Sequence, residues 1–454
     1  MSTNVQVDDV QSLVFSGHAK LPAAIACGLT VQAPAQAKLT LRELTDREIS
    51  FGFSEQPRKH AVQLLLTAAG IKALSGSDAA LAGFSRQFTQ GIVTTQRSRA
   101  LGDLEGNDPD SWDWNDAQFH AVLLIYAPDR ELAESTANEV IARLASGWKR
   151  TFSFPFELPP DNREPFGFRD GLSATRVDIG DGSTEEPGLA LLPPGEVVLG
   201  CENAAGVVPP VPTLGENGTF VVLRQLEQNV RAFWDFWRHQ GKDEQEAVWL
   251  AAKSVGRWPN GMPVDGSASK PEPAFNLAEA LAPFQFSADA RGLKCPFGAH
   301  VRRANPRDGL GDDPTASLEG LRHHRLIRRG RMYGPPAPAE WYPGCIREMK
   351  RTVGRDVTDA PRGLMFIALC ADIARQFEFI QQTWLNNPKF SDLYDEVDPI
   401  AAGRAIPADS HRFSIPRAPL RRRINGVTRW VRVRGGGYFL LPGKRALQRF
   451  LASA

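Results

Sequence analysis

Cysteine is scarce and scattered in this chain: five in 454 residues, at Cys27, Cys201, Cys295, Cys345 and Cys370. An odd number with no CxxC spacing argues against a disulfide framework and against a structural zinc site, and it suggests a reducing compartment. Long apolar runs are also missing. None approaches the roughly 18 residues that a membrane-spanning helix needs, so no membrane partner is expected. Residues Met1 to Gln11 are polar and acidic, without a basic start or an apolar stretch, so a secretory leader is not expected and the cytoplasm is the expected location. Net charge is nearly absent as well, 53 basic against 52 acidic residues for +1 overall, and nothing draws the chain toward nucleic acid. No GxGxxG or GxxxxGK[ST] occurs, which leaves nucleotide cofactors without support. The acidic, glycine-rich Asp308-Gly309-Leu310-Gly311-Asp312-Asp313 lacks the spacing and terminal glutamate of an EF-hand.

The chain does contain a hydrophobic share of 42% and a charged share of 23%, ordinary for a soluble globular protein, and enough length for two or three cores. The stretch from Thr184 to Gly218, with Pro187, Pro193, Pro194, Pro209, Pro210 and Pro212, predicts an irregular connection. It divides the chain into residues 1–205 and 206–454. In the first half, Glu48 to Phe53 alternates like a strand, and Lys59 to Leu74 carries Val62, Leu65, Leu66 and Ala69 at helical spacing. The apolar run Phe119 to Tyr126 predicts a strand, Arg130 to Leu144 a helix and Lys149 to Phe154 another strand. The second half repeats the plan: a strand at Thr219 to Leu223, then a helix through Val230, Phe233, Trp234 and Trp237. A buried strand at Leu364 to Cys370 precedes a helix bearing Ile373, Phe377, Ile380 and Trp384 on one face. Thr428 to Arg434 predicts a last strand and Lys444 to Leu451 a last helix. Strands and helices alternating in two comparable halves fit an α+β fold of two ferredoxin-like modules, each an antiparallel sheet with packed helices. No short-period repeat is present.

Three segments carry the chemistry. Glu164-Pro165-Phe166-Gly167-Phe168-Arg169-Asp170-Gly171 sets one carboxylate between glycines. Cys295-Pro296-Phe297-Gly298-Ala299-His300-Val301-Arg302-Arg303-Ala304-Asn305-Pro306-Arg307 offers an imidazole beside a cluster of arginines. Arg325-Leu326-Ile327-Arg328-Arg329-Gly330-Arg331-Met332-Tyr333-Gly334 adds more guanidinium. A carboxylate, a histidine and an arginine are the minimal kit of a haem peroxidase: an imidazole for the iron, and two groups to handle peroxide on its other face. Each has a plainer role available: a core or surface histidine, a turn aspartate, a surface ion pair.

In this order along the chain, the segments resemble the dye-decolourising peroxidase family, whose GxxDG motif corresponds to Gly167-Phe168-Arg169-Asp170-Gly171. The similarity runs from Asp9-Val10-Gln11-Ser12-Leu13-Val14, through Gly256-Arg257-Trp258-Pro259-Asn260-Gly261-Met262-Pro263, to Gly436-Gly437-Tyr438-Phe439-Leu440-Leu441-Pro442. It implies a peroxidase that uses H2O2 to oxidise phenols, aromatic amines or dyes in one-electron steps. The implied cofactor is haem b, bound mainly by the second module, and the absence of CxxCH argues that it is held without covalent attachment.

The resemblance makes His300 the iron ligand in preference to His323 or His324, and Asp170 the proton carrier. Arg328 becomes the arginine that stabilises developing negative charge, with Arg329 its near rival. It also tips Asp372, which would otherwise serve as the N-cap of the helix that follows, toward being the carboxylate partner of His300. Arg302 and Arg307 are candidates for the haem propionates. Trp258 and Tyr333, beside the motifs, are the aromatics to test as oxidation sites. Pro165 stands where related sequences often have a histidine, and Leu172-Ser173-Ala174-Thr175 replaces a frequent Ile-Ser-Gln-Pro, so the haem rim departs from the family pattern. The alternative is a haem-binding or haem-handling protein with little turnover. The expected partners are H2O2 and small aromatic reductants, and a homo-oligomer is allowed. The tail Gln448-Arg449-Phe450-Leu451-Ala452-Ser453-Ala454 ends an amphipathic helix and gives no support to packaging in a protein shell.

Overall fold

The structure, a computed structural model, describes residues 5–54, 58–186, 189–264, 274–282, 284–349, 360–403 and 411–453. Pro187 of the expected irregular connection lies outside them. In the first half the main elements are β1 (Ala23–Val31), α1 (Pro34–Arg47), β2 (Ala61–Leu66), β3 (Ala121–Ala127), α2 (Arg130–Leu144) and β4 (Trp148–Glu157). The strands are antiparallel in the order β4-β1-β3-β2, which in sequence rank is fourth, first, third, second. The second half contains β5 (Thr219–Gln228), α3 (Val230–Gln240), α4 (Glu244–Val255), α5 (His300–Ala304) and α6 (Pro314–Arg322). After them come β6 (Ile327–Arg328), β7 (Arg331–Tyr333), β8 (Gly363–Cys370), β9 (Val431–Leu441) and α7 (Lys444–Ala452). Its order β9-β5-β8-β6 has the same fourth-first-third-second ranking. Each half is therefore a ferredoxin-like module.

The two sheets meet at both edges. Leu66 of β2 pairs with Leu440 of β9, and Met332 of β7 pairs with Glu157 of β4 and Leu364 of β8. The sheet therefore closes on itself, with one apolar core inside and helices packed outside. Alternation divides each strand between these layers: Ala24 and Ala26 of β1 face the interior cluster with Val122, Leu223, Ile367 and Phe439. Ile25, Cys27 and Leu29 instead meet Leu41, Val140 and Leu447 of the helices. A strand covered on both faces needs no polar side, which is why β8 and all of β3 read as nearly continuous apolar stretches. For the same reason the one polar residue of β2, Gln63, is buried and hydrogen-bonded to Ser12 and the Ser50 carbonyl.

This also explains the misread segment. Lys59 to Leu74 is not one helix: β2 occupies Ala61–Leu66, buried throughout, and a short helix begins only at Ala68. Four apolar residues at helical spacing are weak evidence where most positions of a short run are apolar and the strand is buried on both faces. Glu48 to Phe53 makes only isolated bridges, at Ile49 with Val62 and at Phe51 with Gln11. The segment carrying Ile373, Phe377, Ile380 and Trp384 is helical with π geometry, over Ala374–Glu378 and Ile380–Leu385. α7 crosses back to the first half, where Lys38 donates to the Ser453 carbonyl at 2.8 Å and Gln448 to Asp46 at 2.7 Å. Among the described residues, no helix is long and apolar enough to cross a membrane.

Candidate active site

The loop before Asp170 is built by its own side chains. Glu164 accepts from the backbone N–H of Phe168 at 2.8 Å and of Phe166 at 3.0 Å. Arg163 donates to the carbonyls of Gly167 (2.7 Å) and Pro259 (2.6 Å). Trp234 donates to the Phe166 carbonyl at 3.0 Å, and Tyr342 to the Pro165 carbonyl at 2.6 Å. Pro165, unexpected by family pattern, is thus an anchored turn residue. Gly167 has a φ of 100°, and a Cβ there would lie 2.8 Å from Ile346, so glycine is required twice over. The Asp170 N–H bonds the Asn162 carbonyl at 2.7 Å, and its carboxylate accepts from Gly171 N–H at 2.7 Å. That side chain remains 47% exposed.

Arg328 ends β6, in register with Ala368 of β8. Its guanidinium donates to the Ser173 carbonyl at 3.2 Å and lies 3.9 Å from the Asp170 carboxylate. Arg329 points the other way, donating to the carbonyls of Leu13 and Val14 at 2.9 Å. Successive side chains of an extended segment take opposite faces, so only one of the two arginines is able to serve Asp170. Arg331 is fully committed too, to four carbonyls between Gly17 and Pro22.

His300 opens α5. Its Nδ1 lies 3.0 Å from Oδ2 of Asp398, whose side chain is fully buried. Asp398 is fixed in turn by the N–H groups of Ile400 (2.8 Å) and Ala401 (2.6 Å) on its other oxygen. Burial works to lower the imidazole pKa, but the charge and hydrogen bond of Asp398 outweigh it and the net shift is upward. The reciprocal effect of His300 overcomes burial at Asp398 and holds that carboxyl below its usual range. Arg328 and Asp170 lie near enough to act on the charge of His300 as well, in opposite senses. The imidazole is 30% exposed, and its Nε2 has no protein partner among the described residues.

Asp372 is therefore not the partner of His300. Its carboxylate accepts from Arg375 N–H at 3.0 Å and lies 3.8 Å from the Arg375 guanidinium, the N-cap role open to it from the start. Asp398 escaped notice because it follows no regular element and lies 98 residues beyond the histidine. Arg302, two residues after His300 and so about 200° around the helix, points away from the imidazole. It is buried between Phe286 and Phe297 and bonded to Asp289 and the Cys295 carbonyl, with no capacity for a propionate. Arg307 is different: it reaches Ser173 Oγ at 3.4 Å, and its Nε is buried without a hydrogen-bond partner. Arg257 also has a buried unpaired atom, Nη2. Burial pushes both guanidinium pKa values down to about 10, aided at Arg257 by Arg307 and at Arg307 by Arg325. His324 stacks on Phe379 with ring centres 3.8 Å apart and bonds the Arg375 carbonyl, away from this site. Trp258 and Tyr333 are buried, so neither offers a surface for a bulky reductant. Asp308 and Asp313 are engaged in local backbone bonds, and no cluster of three metal-ligating side chains occurs among the described residues.

The comparisons with known proteins follow this geometry. No family model matches the chain. The dye-decolorizing peroxidase msp1 of Mycetinis scorodonius is 26% identical over a 479-residue alignment that covers 99% of this chain and 88% of that protein. The multifunctional dye peroxidase DyP2 of Amycolatopsis sp. is 31% identical over 307 residues, 62% of this chain and 60% of that protein. In sequence the chain is thus similar to dye-decolorizing peroxidases over nearly its whole length. Solved structures agree on the fold. A dye-decolorizing peroxidase in complex with 2,6-dimethoxyphenol superposes with a TM-score of 0.81 at 23% identity, covering 99% of this chain and all of that one. The DyP-type peroxidase of Anabaena sp. gives 0.79 at 20% identity, with 98% and 94% covered. Within the family fold, His300, Asp170 and Arg328 converge from three separate parts of the sequence, and Asp398 joins them from a fourth.

Proposed function

We propose that this chain is a dye-decolorizing peroxidase that binds haem b non-covalently through His300 and uses H2O2 to oxidise small aromatic reductants, phenols and aromatic amines among them, in one-electron steps. The observation that carries this reading is an imidazole with one nitrogen fixed to a buried carboxylate and the other without a partner among the described residues, within electrostatic reach of a carboxylate–guanidinium pair. The residues fit the group. An anchored, neutral imidazole is the usual proximal donor for iron, and the buried unpaired atoms Arg257 Nη2 and Arg307 Nε are suited to receive haem carboxylates. The chain has no CxxCH, in keeping with non-covalent binding. When bound, the haem supplies the electron acceptance and the site at which peroxide is cleaved.

The protein's own residues manage protons and charge. Asp170, half exposed, takes a proton from peroxide and returns it to the departing oxygen. Arg328, fixed by the Ser173 carbonyl, stabilises negative charge as it develops and cannot lose its own proton. Asp398 keeps the Nδ1 proton on His300 and raises the basicity of the opposite nitrogen. Residues 1–205 and 206–454 divide these tasks, with Asp170 from the first module and His300, Arg328 and Asp398 from the second. The five cysteines are all free, four of them buried, which supports a reducing compartment and thus the cytoplasm.

The test is an absorption spectrum of haem-loaded protein before and after one equivalent of H2O2, beside His300→Ala. A Soret band that shifts promptly with peroxide, and haem binding weakened by the substitution, is the expected result. A Soret band indifferent to peroxide would replace the peroxidase with a haem-handling protein.

A further inference from the structure

One arginine of the His300 segment has no part in the scheme above. Arg303 lies one turn after His300 on α5 and is fully buried. Among the described residues its guanidinium makes no hydrogen bond to a carboxylate, although the charges of Asp398 and Glu396 lie near enough to act on it. Instead its three nitrogens donate to three backbone carbonyls: Nε to Trp384 at 3.0 Å, Nη2 to Asn387 at 2.5 Å and Nη1 to Glu396 at 3.0 Å. The ring of Phe390 packs against it, 4.9 Å from the guanidinium carbon. All four residues belong to one segment, from the end of the π-helical stretch to Glu396, which has no helix or strand of its own after Leu385. Two residues after Glu396 stands Asp398, tied back by its N–H to the Leu385 carbonyl at 2.8 Å. The helix bearing the imidazole and the irregular segment bearing its carboxylate partner are thus joined by one planar, five-donor group.

We infer that Arg303 is a positioning residue: it fixes the Asp398 segment against α5 and so sets the length and direction of the hydrogen bond that Asp398 makes with His300. A fully extended guanidinium that grips three carbonyls resists movement in all directions, which a single ion pair does not. The Asp398–His300 bond governs how strongly the imidazole donates electrons to the iron, so its geometry reaches the haem. Lysine in the same place keeps the charge but has a point-like ammonium that is unable to hold three carbonyls in one plane.

The inference rests on the haem reading, and the experiment separates the two. Full-length haem-loaded protein is prepared as wild type, Arg303→Lys, Arg303→Met, Phe390→Leu and Asp398→Asn. The iron–histidine stretch of the ferrous state is read by resonance Raman, and the ferric/ferrous midpoint potential by redox titration. Both Arg303 variants are expected to lower the stretching frequency and raise the potential. Adding Arg303→Lys to Asp398→Asn is expected to produce no further shift, because the bond it acts through is already altered. A buried positive charge acting through space alone predicts the reverse: Met lowers the potential, Lys leaves it unchanged, and the stretch does not move. That pattern would overturn the inference. Should the Arg303 variants not fold, Phe390→Leu, which removes the ring under the guanidinium, must shift the stretch in the same direction by a smaller amount, and an unmoved band overturns the inference. Wild-type protein that forms no Soret band overturns the haem reading and this inference with it.

Discussion

The His300 side of the site and the Asp170–Arg328 side are built differently. Asp398 and Arg303 are completely buried, and each polar atom of their side chains has a defined partner within 3.0 Å. Asp170 and Arg328 are 47% and 50% exposed, lie 3.9 Å apart and make one further hydrogen bond each through their side chains. The contrast follows the chemistry. A ligand that must keep one bond through repeated turnover gains from rigidity, since the position of an anchored imidazole sets both affinity and basicity. Groups that accept and return protons need contact with water and freedom to adjust, and their static distances are correspondingly loose.

If that division is real, removing groups on the two sides must fail in different ways. The largest effect is expected from His300→Ala, which deletes the proposed donor to the iron: haem retention through gel filtration is lost and peroxidase activity goes with it. Next come Asp170→Asn and Arg328→Leu. Both are expected to bind haem like the wild type, with an unchanged Soret intensity. Stopped-flow mixing with H2O2 should then show the peroxide step slowed about 10²–10⁴-fold for Asp170→Asn and about 10²–10³-fold for Arg328→Leu. Haem loss in either variant would place these residues in the binding apparatus and erase the contrast. Asp398→Asn tests the rigid side more gently: about a 10–100-fold loss of haem affinity, measured by transfer of haem to an apo-acceptor.

How much of this was readable from the residues depended on whether a function is carried by one segment or assembled from several. His300, Asp170 and Arg328 each sit in a short irregular stretch whose glycines and arginines are distinctive, and the structure brings them together. The choice of Arg328 over Arg329 is recovered from strand alternation once β6 is known. Asp398 was not readable: Glu396-Val397-Asp398-Pro399 has no periodicity, and any of several buried carboxylates would satisfy an imidazole in principle. Arg257 stood within a segment marked as family-like, but a lone arginine beside Trp258 reveals nothing of its unpaired buried nitrogen. Arg302 shows how nearness in sequence differs from nearness in space: two residues along a helix from His300 is almost the opposite side, where Asp289 and the Cys295 carbonyl hold its guanidinium. The fold shows the same split. The span of α2, Arg130 to Leu144, is legible to the residue, whereas the closure of eight strands into one ring depends on pairings such as that of Leu66 with Leu440, which no local pattern encodes.

The smallest expected effect is the sharpest check on the rigid side, because it concerns a residue that the family pattern favoured. Asp372 caps the helical segment at Ala374–Glu378 through the Arg375 N–H and sits 3.8 Å from the Arg375 guanidinium, while Arg375 also reaches Glu196 at 2.8 Å. Nothing connects it to His300. Asp372→Ala removes one cap and a half-exposed ion pair, so the expected cost is about 1 kcal/mol of folding stability, read from urea denaturation of the apo-protein. The haem spectrum, the iron–histidine stretch and the rate of the peroxide step should all stay at wild-type values. Asp372→Asn, which is able to accept the same backbone N–H, should recover most of the stability. A carboxylate hydrogen-bonded to His300 would behave in the opposite way: little change in folding, a shifted iron–histidine band and weaker haem binding. The two substitutions at Asp372 and Asp398 therefore form a matched pair, and only one of them is expected to be felt at the iron.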